Sequence, residues 1–247
     1  MVQFSVVVSE LSSSVIFDRL LESAEVEQLA SEIASGRRTV IVSGLAGGAR
    51  SLILASIERK TGRRVVLVTR SNREVEDVLP EVEFFYSALG GASSQGVLTI
   101  PALEADPYDG TSPHAEALEQ RALALHRAAT GEARILLTSI AALAERTVAP
   151  GALKSSSITL RAGEDMPPEL IVDLLIAGGY VRQEPVGAVG EFSLRGGILD
   201  VFSPAHDAPH RVEFFGDTVE SIREFDPETQ RSVSRVGETI IVPMREL

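Results

Sequence analysis

One octapeptide carries the pattern best suited to phosphate chemistry: Gly44-Leu-Ala-Gly-Gly-Ala-Arg-Ser51. A phosphate-binding loop, G-x-x-x-x-G-K-[ST], joins a strand to a helix. Its glycines let backbone amides approach the phosphates, its lysine reaches the β and γ oxygens, and its hydroxyl holds Mg2+. Gly44 and Ser51 fit that pattern, but Ala49 stands in place of the second glycine and Arg50 in place of the lysine. Arginine keeps the charge, yet its planar fork replaces a compact ammonium poorly. No apolar strand in the first 150 residues ends in Asp or Glu, so an acidic strand end for Mg2+ is missing as well. The octapeptide is expected to be a relic nucleotide loop or a plain tight turn, with no ATP hydrolysis.

A second constellation is Glu104-Ala-Asp-Pro-Tyr-Asp109, whose three carboxylates could serve acid/base chemistry. A polar loop after a strand, followed by Ser112-Pro113, is also ordinary chemistry for starting a helix, and that reading is the stronger. The four histidines, at 114, 126, 206 and 210, do not pair on one helical face, and there is no cysteine. Neither a metal site nor a disulfide is expected, and a reducing cytoplasm suits the chain.

The third constellation is a surface rather than a reaction centre. In Arg211-Val-Glu-Phe-Phe215, strand alternation sets Val212 and Phe214 on one face and Arg211, Glu213 and Phe215 on the other. Ser193 and Arg195 likewise share a face opposite Phe192 and Leu194. Arginines and aromatics are the residue types that dominate binding hot spots, which makes Arg195, Arg211, Glu213 and Phe215 a candidate partner surface. The alternative is that a helix over 167–177 covers this face and Phe215 is core. Alternation does not decide between them.

A length of 247 residues favours two domains, and 44% hydrophobic with 23% charged residues describes a globular protein. A formal net charge of −12 argues against a binder of duplex DNA by bulk electrostatics. The N-terminal MVQFSVVVSE lacks a basic flank and cleavage site, so an edge strand or lead-in is expected rather than a signal peptide. No stretch approaches the ~20 apolar residues of a membrane span.

Helical periodicity runs through 17–35, 52–59 and 115–129. The last of these has an apolar stripe of Ala115, Leu118, Ala122, Leu125 and Ala129 and stops at Gly131. Ser71 and Glu74 form a capping box for a helix expected to end at Pro80. Strands are expected at 39–43, 65–69, 97–100 and 135–138, the grammar of a parallel α/β domain over residues 1–150. From 151 to 247 the pattern becomes a smaller α+β domain. It has a strand at 156–160 and a helix over 167–177 that turns Pro168, Ile171, Leu174 and Leu175 inward. Short, mostly antiparallel strands follow at 180–186, 191–194, 197–202, 210–215, 219–225 and 238–242. Gly216-Asp217 supplies a hairpin turn and Asp226-Pro-Glu-Thr another.

Several of these segments are familiar. Leu103-Glu-Ala-Asp-Pro-Tyr-Asp with Ser112-Pro-His, then GEFSLRGGILDVFSP, RVEFFGDTVESI and FDPETQRS, closely resemble the N-terminal region of the bacterial transcription-repair coupling factors (Mfd), itself similar to the excision-nuclease subunit UvrB. The motifs begin near residue 97; residues 1–96 match chiefly in layout. The SPH and FDPETQRS forms are similar to the coupling factors rather than to UvrB. UvrB also has an intact nucleotide loop and a Tyr-rich hairpin for which 84–97 is too short.

The resemblance implies domains like 1a and 2 of UvrB, with the second binding UvrA, the damage-recognition protein, through positions matching Arg195, Arg211 and Phe215. It implies an adaptor region of transcription-coupled nucleotide excision repair that recruits UvrA to lesion-stalled RNA polymerase and has no catalysis or cofactor of its own. ATP and Mg2+, and the contacts to polymerase and DNA, would belong to further domains of the full-length translocase. A monomer without a membrane partner is expected. The rival reading is a UvrB-like, ATP-dependent enzyme that processes damaged DNA.

Overall fold

The computed structural model describes residues 17, 19–91, 96–103 and 113–246. The N-terminal strand expectation, the carboxylate loop at 104–109 and the Ser112 cap fall outside the described residues. Contacts divide the chain into two units, 1–99 with 133–140 and 100–132 with 141–247. The expected division lay at 150. The seams differ from it because a strand after residue 132 returns to the first unit while the preceding helix groups with the second.

In the first unit, α1 (Ala24–Ala34), α2 (Ala49–Thr61) and α3 (Asn72–Ala88) accompany a three-stranded sheet in the order β1 (Val65–Thr69), β3 (Ile135–Ser139), β2 (Val97–Ile100). β1 and β3 run parallel, with Val65 opposite Ile135 and Thr69 opposite Ser139. The core gathers Val75, Val78, Val82 and Tyr86 of α3 against Ile135 and Leu137. That i, i+3, i+7 stripe carries α3 straight through Pro80: the one lost backbone bond is outweighed by apolar burial on either side of it, and the expected stop does not occur. Ser71 caps α3 by accepting the Glu74 amide at 3.3 Å. Glu74 completes only half of the box, because its carboxylate takes the Arg70 amide instead of the Ser71 amide.

The expected strand at 39–43 is also absent. The segment forms no ladder, and Ile41 is 90% exposed. An apolar run becomes a strand only where it docks on a sheet edge, and among the described residues the outer edge of β1 is left without this partner.

In the second unit, α4 (Ala115–Thr130) packs on α6 (Pro150–Ser155), and α5 (Ile140–Ala144) lies between them in sequence. The stripe expected on α4 is displaced. Ala122 is buried, but Ala115 is exposed, and the buried face includes Arg121 and His126. Arg121, 1% exposed, pairs with Glu145 at 2.9 Å and Glu246 at 2.5 Å and donates to the Pro101 carbonyl at 3.0 Å. Those partners, distant in sequence, are what admit a guanidinium to the interior.

The remainder is a six-stranded sheet in the order β10 (Ser232–Val236), β9 (Thr218–Phe225), β8 (His210–Phe215), β7 (Ile198–Val201), β6 (Glu191–Arg195), β5 (Val181–Arg182), antiparallel except for β5 with β6. A two-stranded ladder of β4 (Ile158–Arg161) and β11 (Glu238–Ile241) stands beside it. The inner face, Phe192, Leu199, Val212 and Ile222, packs with Ile171 and Leu175 of α7 (Pro168–Ala177). Leu174, expected inward, is exposed, since it lies about 100° round the helix from Leu175.

Candidate functional site

Two places concentrate the residues singled out by the sequence, and each lies within one unit. The first is the Gly44–Ser51 turn. Gly44 and Gly47 adopt φ of 78° and 54°, a region that favours glycine, and Ala49, Arg50 and Ser51 are the first residues of α2. The two groups that a nucleotide would need are already paired. Arg50 donates to Glu74 at 3.2 Å, and Ser51, fully buried, donates to Glu81 at 3.0 Å. Glu74 also accepts from the Arg70 amide and side chain, and these bonds hold its carboxyl below the usual range. An open groove of about 640 Å3 runs beside the segment before the turn, but Glu25 and Glu32 line it, and Arg37 there is paired to Glu32. Carboxylates surround the place where phosphates would have to sit.

The second place is the outer face of the six-stranded sheet. Cross-strand pairing sets Ser193, Asp200, Arg211 and Arg223 in one row and Arg195, Ile198, Glu213 and Ser221 in the next. Two tight hairpins border the rows. Gly196-Gly197 joins β6 to β7 at φ of 53° and 88°, and Gly216, at 61°, opens the turn from β8 to β9. An extra residue on β9 shifts the register between Glu213 and Phe214 while β8 stays regular. Phe214 therefore packs inward, and Phe215 projects outward, 80% exposed. The helix does not cover Phe215, so the core alternative for this residue is overturned.

The projecting ring stands on a fixed base. Phe214 N–H donates to Gly197 O at 2.8 Å, Met166 N–H to Asp217 O at 2.8 Å, and Thr218 Oγ1 to Asp165 at 2.6 Å.

Electrostatics on this face centre on Asp200, 2% exposed. It accepts Arg211 Nε at 2.7 Å and Nη2 at 2.8 Å and lies 3.6 Å from Arg195 Nη2. This bidentate pair raises the already high pKa of Arg211, whose guanidinium also stacks 4.7 Å from the Phe225 ring centroid. Arg195 donates to Glu184 at 2.8 Å, while Glu213 accepts from Ser221 at 2.5 Å and approaches Arg223 at 3.5 Å.

All four predicted surface residues thus fall on one side of the sheet, with Arg211 tucked low and Phe215 high. Sequence reading missed Asp200, Ile198 and Arg223. The available signal was a lone carboxylate in the apolar run ILDV, which a buried strand tolerates only beside a cation.

At the inner end of β8, His206 and His210 lie with ring centroids 4.2 Å apart, and both contact Thr239. Burial lowers both pKa values, that of His210 to about 4 with help from the neighbouring His206. No grouping of His, Asp and Glu among the described residues could hold a metal ion, and no described helix is long and apolar enough to cross a membrane.

The sheet lies within a recognisable family match: residues 158–247 fit the model of the UvrB interaction domain. The match covers 90 of the 247 residues. The longer chain is 36% identical over 221 residues, 89% of its length, to a transcription-repair-coupling factor of Myxococcus xanthus. It is 28% identical over 226 residues, 92% of its length, to that of Bacillus subtilis and 25% identical over 206 residues, 83% of its length, to that of Escherichia coli. The resemblance to the coupling factors is borne out, and matches of this length reach into the residues before 97, beyond the motifs that suggested it. The chain covers 18%, 19% and 17% of those three relatives, under a fifth of each. Arg195, Arg211, Glu213 and Phe215 all lie inside the matched stretch.

Proposed function

We propose that the outer sheet face of the UvrB interaction domain is a docking surface for UvrA, and that the chain is the adaptor region of a transcription-repair coupling factor that recruits UvrA to lesion-stalled RNA polymerase. The observation that carries this reading is Phe215, an aromatic ring 80% exposed on a pinned hairpin, on the same sheet face as Arg195 and Arg211. A soluble domain gains nothing from leaving a phenyl ring in water, and a rigid ring loses little entropy when a partner covers it. Guanidinium groups elsewhere on the same face suit an acidic partner surface.

The chain acts by binding, with no catalysis and no cofactor of its own. Pairing of Arg50 with Glu74 and of Ser51 with Glu81 supports this over a UvrB-like ATP-dependent enzyme. ATP and Mg2+ use, and contacts with polymerase and DNA, belong to other parts of the longer protein. The adaptor is monomeric and cytoplasmic. Titration of UvrA with the 247-residue chain tests the reading: saturable binding by the wild type and its loss in Phe215→Ala are expected. Equal binding by both proteins rejects the face. Tight, Mg2+-dependent binding of a fluorescent nucleotide, removed by substitution of Arg50, would restore the enzyme reading.

A further inference from the structure

This inference rests on the docking reading and concerns which side chains of that face meet the partner. Arg211 is committed to its own domain. Its Nε and Nη2 are held by Asp200 and its Nη1 lies 3.4 Å from the Gln230 carbonyl; one side of the guanidinium covers Phe225, and the side chain is 19% exposed. To reach outward, Arg211 would have to abandon a carboxylate that is 2% exposed, and an uncompensated buried charge is strongly unfavourable.

Its neighbours are differently placed. The Arg195 side chain is 52% exposed; it touches Asp200 only at 3.6 Å, outside the bidentate grip on Arg211, and its shorter pair, with the 57% exposed Glu184, is an exchangeable surface contact. Arg223, directly across from Arg211 in the register, is 42% exposed and reaches Glu213 only at 3.5 Å. Ile198, between Arg195 and Glu213 in the row, is an exposed aliphatic side chain on the same face as Phe215. Two guanidinium groups, those of Arg211 and Arg195, therefore share one buried carboxylate, which neutralises the inner one and relieves its repulsion on the outer, while Arg223 stands beyond Arg211 in the same row.

We infer that Asp200 and Arg211 form a charge-neutral scaffold beneath the docking face, with Asp200 as the positioning residue, and that Phe215, Ile198, Arg195 and Arg223 are the side chains that meet the partner. The surface they make, an apolar strip rimmed by two cations, fits a protein surface that sets carboxylates around a pocket for one aromatic ring. Arg211 influences binding through the shape and charge of the face, without touching the partner.

Exchanging the charged pair for a neutral one separates the two roles. UvrA affinity of the 247-residue chain is compared at fixed salt for the wild type, Arg211→Gln, Asp200→Asn and the double variant, in which amide faces amide. Each single substitution strands a partner and is expected to weaken binding about tenfold, whereas the double variant returns to within about threefold of wild type. Ile198→Ala and Arg223→Ala are each expected to cost about tenfold.

A double variant as weak as Arg211→Gln would mean that Arg211 meets the partner itself, which overturns the inference. Wild-type affinity in both Ile198→Ala and Arg223→Ala overturns it equally. Failure of the docking reading has another signature: the wild type does not bind UvrA, or Phe215→Ala binds as well as the wild type. The scaffold is then decided without UvrA, by NMR exchange of the Arg211 Nε proton. Slow exchange in the wild-type chain and fast exchange in Asp200→Asn support it, and fast exchange in the wild type overturns it.

Discussion

The Gly44–Ser51 turn and the hairpin face around Phe215 are assembled from similar parts: glycines at positive φ, an exposed arginine, a neighbouring aromatic and nearby carboxylates. They end with opposite surfaces. At the turn, the carboxylates belong to α3 and meet Arg50 and Ser51 at the place where a ligand would approach, so the polar groups are consumed from outside. On the sheet, the decisive carboxylate is Asp200, which lies beneath its arginine and takes Arg211 from below, leaving Arg195, Arg223 and Phe215 outward. The position of a carboxylate relative to the surface decides whether an arginine closes a site or presents one.

The largest expected effect is on the open member of the pair. Phe215→Ala should weaken UvrA binding by about 30-fold or more, the ~2 kcal/mol of a hot spot, with the melting temperature unchanged because the ring is already in water. Phe84 of the first unit sharpens the contrast. It is also exposed, but packs edge-on against Phe17 and Phe85. Phe84→Ala should leave UvrA binding intact and lower stability, by thermal melting, by about 1 kcal/mol. Loss of UvrA binding in Phe84→Ala would show that the docking surface is not confined to the sheet.

Acid should separate the two regions next. His210 titrates near 6.5 in an unfolded chain and about 4 in the folded domain, where burial and His206 keep it neutral. The unfolded state therefore binds more protons between those values, and stability is complete above pH 6.5 and falls as pH drops toward 4, on the order of 2 kcal/mol. Chemical denaturation across that range should show the second unit weakening, and UvrA affinity following it, since His210 begins the strand that ends in Phe215. His210→Phe, which also removes the bond to Thr239, should flatten the pH dependence; a slope unchanged by it would assign the acid sensitivity elsewhere.

The two regions were unequally legible in the sequence. β8 was read at its observed bounds, His210–Phe215, because period-two alternation and the Gly216-Asp217 turn are local signals. The same alternation put Phe215 beside Arg211 but could not say whether a helix lay over it, since covering is a long-range fact. Residues 39–43 read as a strand by the same rule and are not one, since docking on the edge of β1 is again a long-range fact that alternation does not carry. The burial of Arg121 is not legible from its helix, because Glu145 and Glu246, which let it be buried, lie far along the chain. Asp200 is hidden for the same reason, its partner Arg211 lying on another strand. Isolated charges in apolar runs carry information about partners that periodicity discards.

At the closed member, Ser51→Ala removes the bond to Glu81 and should cost about 1 kcal/mol of stability by denaturant titration, with UvrA affinity unchanged. A larger loss would mean that the Ser51–Glu81 contact organises the turn rather than merely sealing it.

The smallest expected effect comes from repairing the turn. Ala49→Gly with Arg50→Lys completes the pattern G-x-x-x-x-G-K-[ST], and exchange of an exposed ion pair should alter stability by less than about 1 kcal/mol. If residue identity alone silenced the loop, the repaired chain would bind Mg-ATP. The surroundings predict otherwise: Glu74 still faces the new ammonium and Glu81 still holds the Ser51 hydroxyl, so a nucleotide would bring its phosphates against two carboxylates. Fluorescent-nucleotide titration of the double variant should therefore give no binding with a Kd tighter than about 1 mM. Tighter binding would place the difference between the two regions in the residues of the turn and remove the carboxylates of α3 from the explanation.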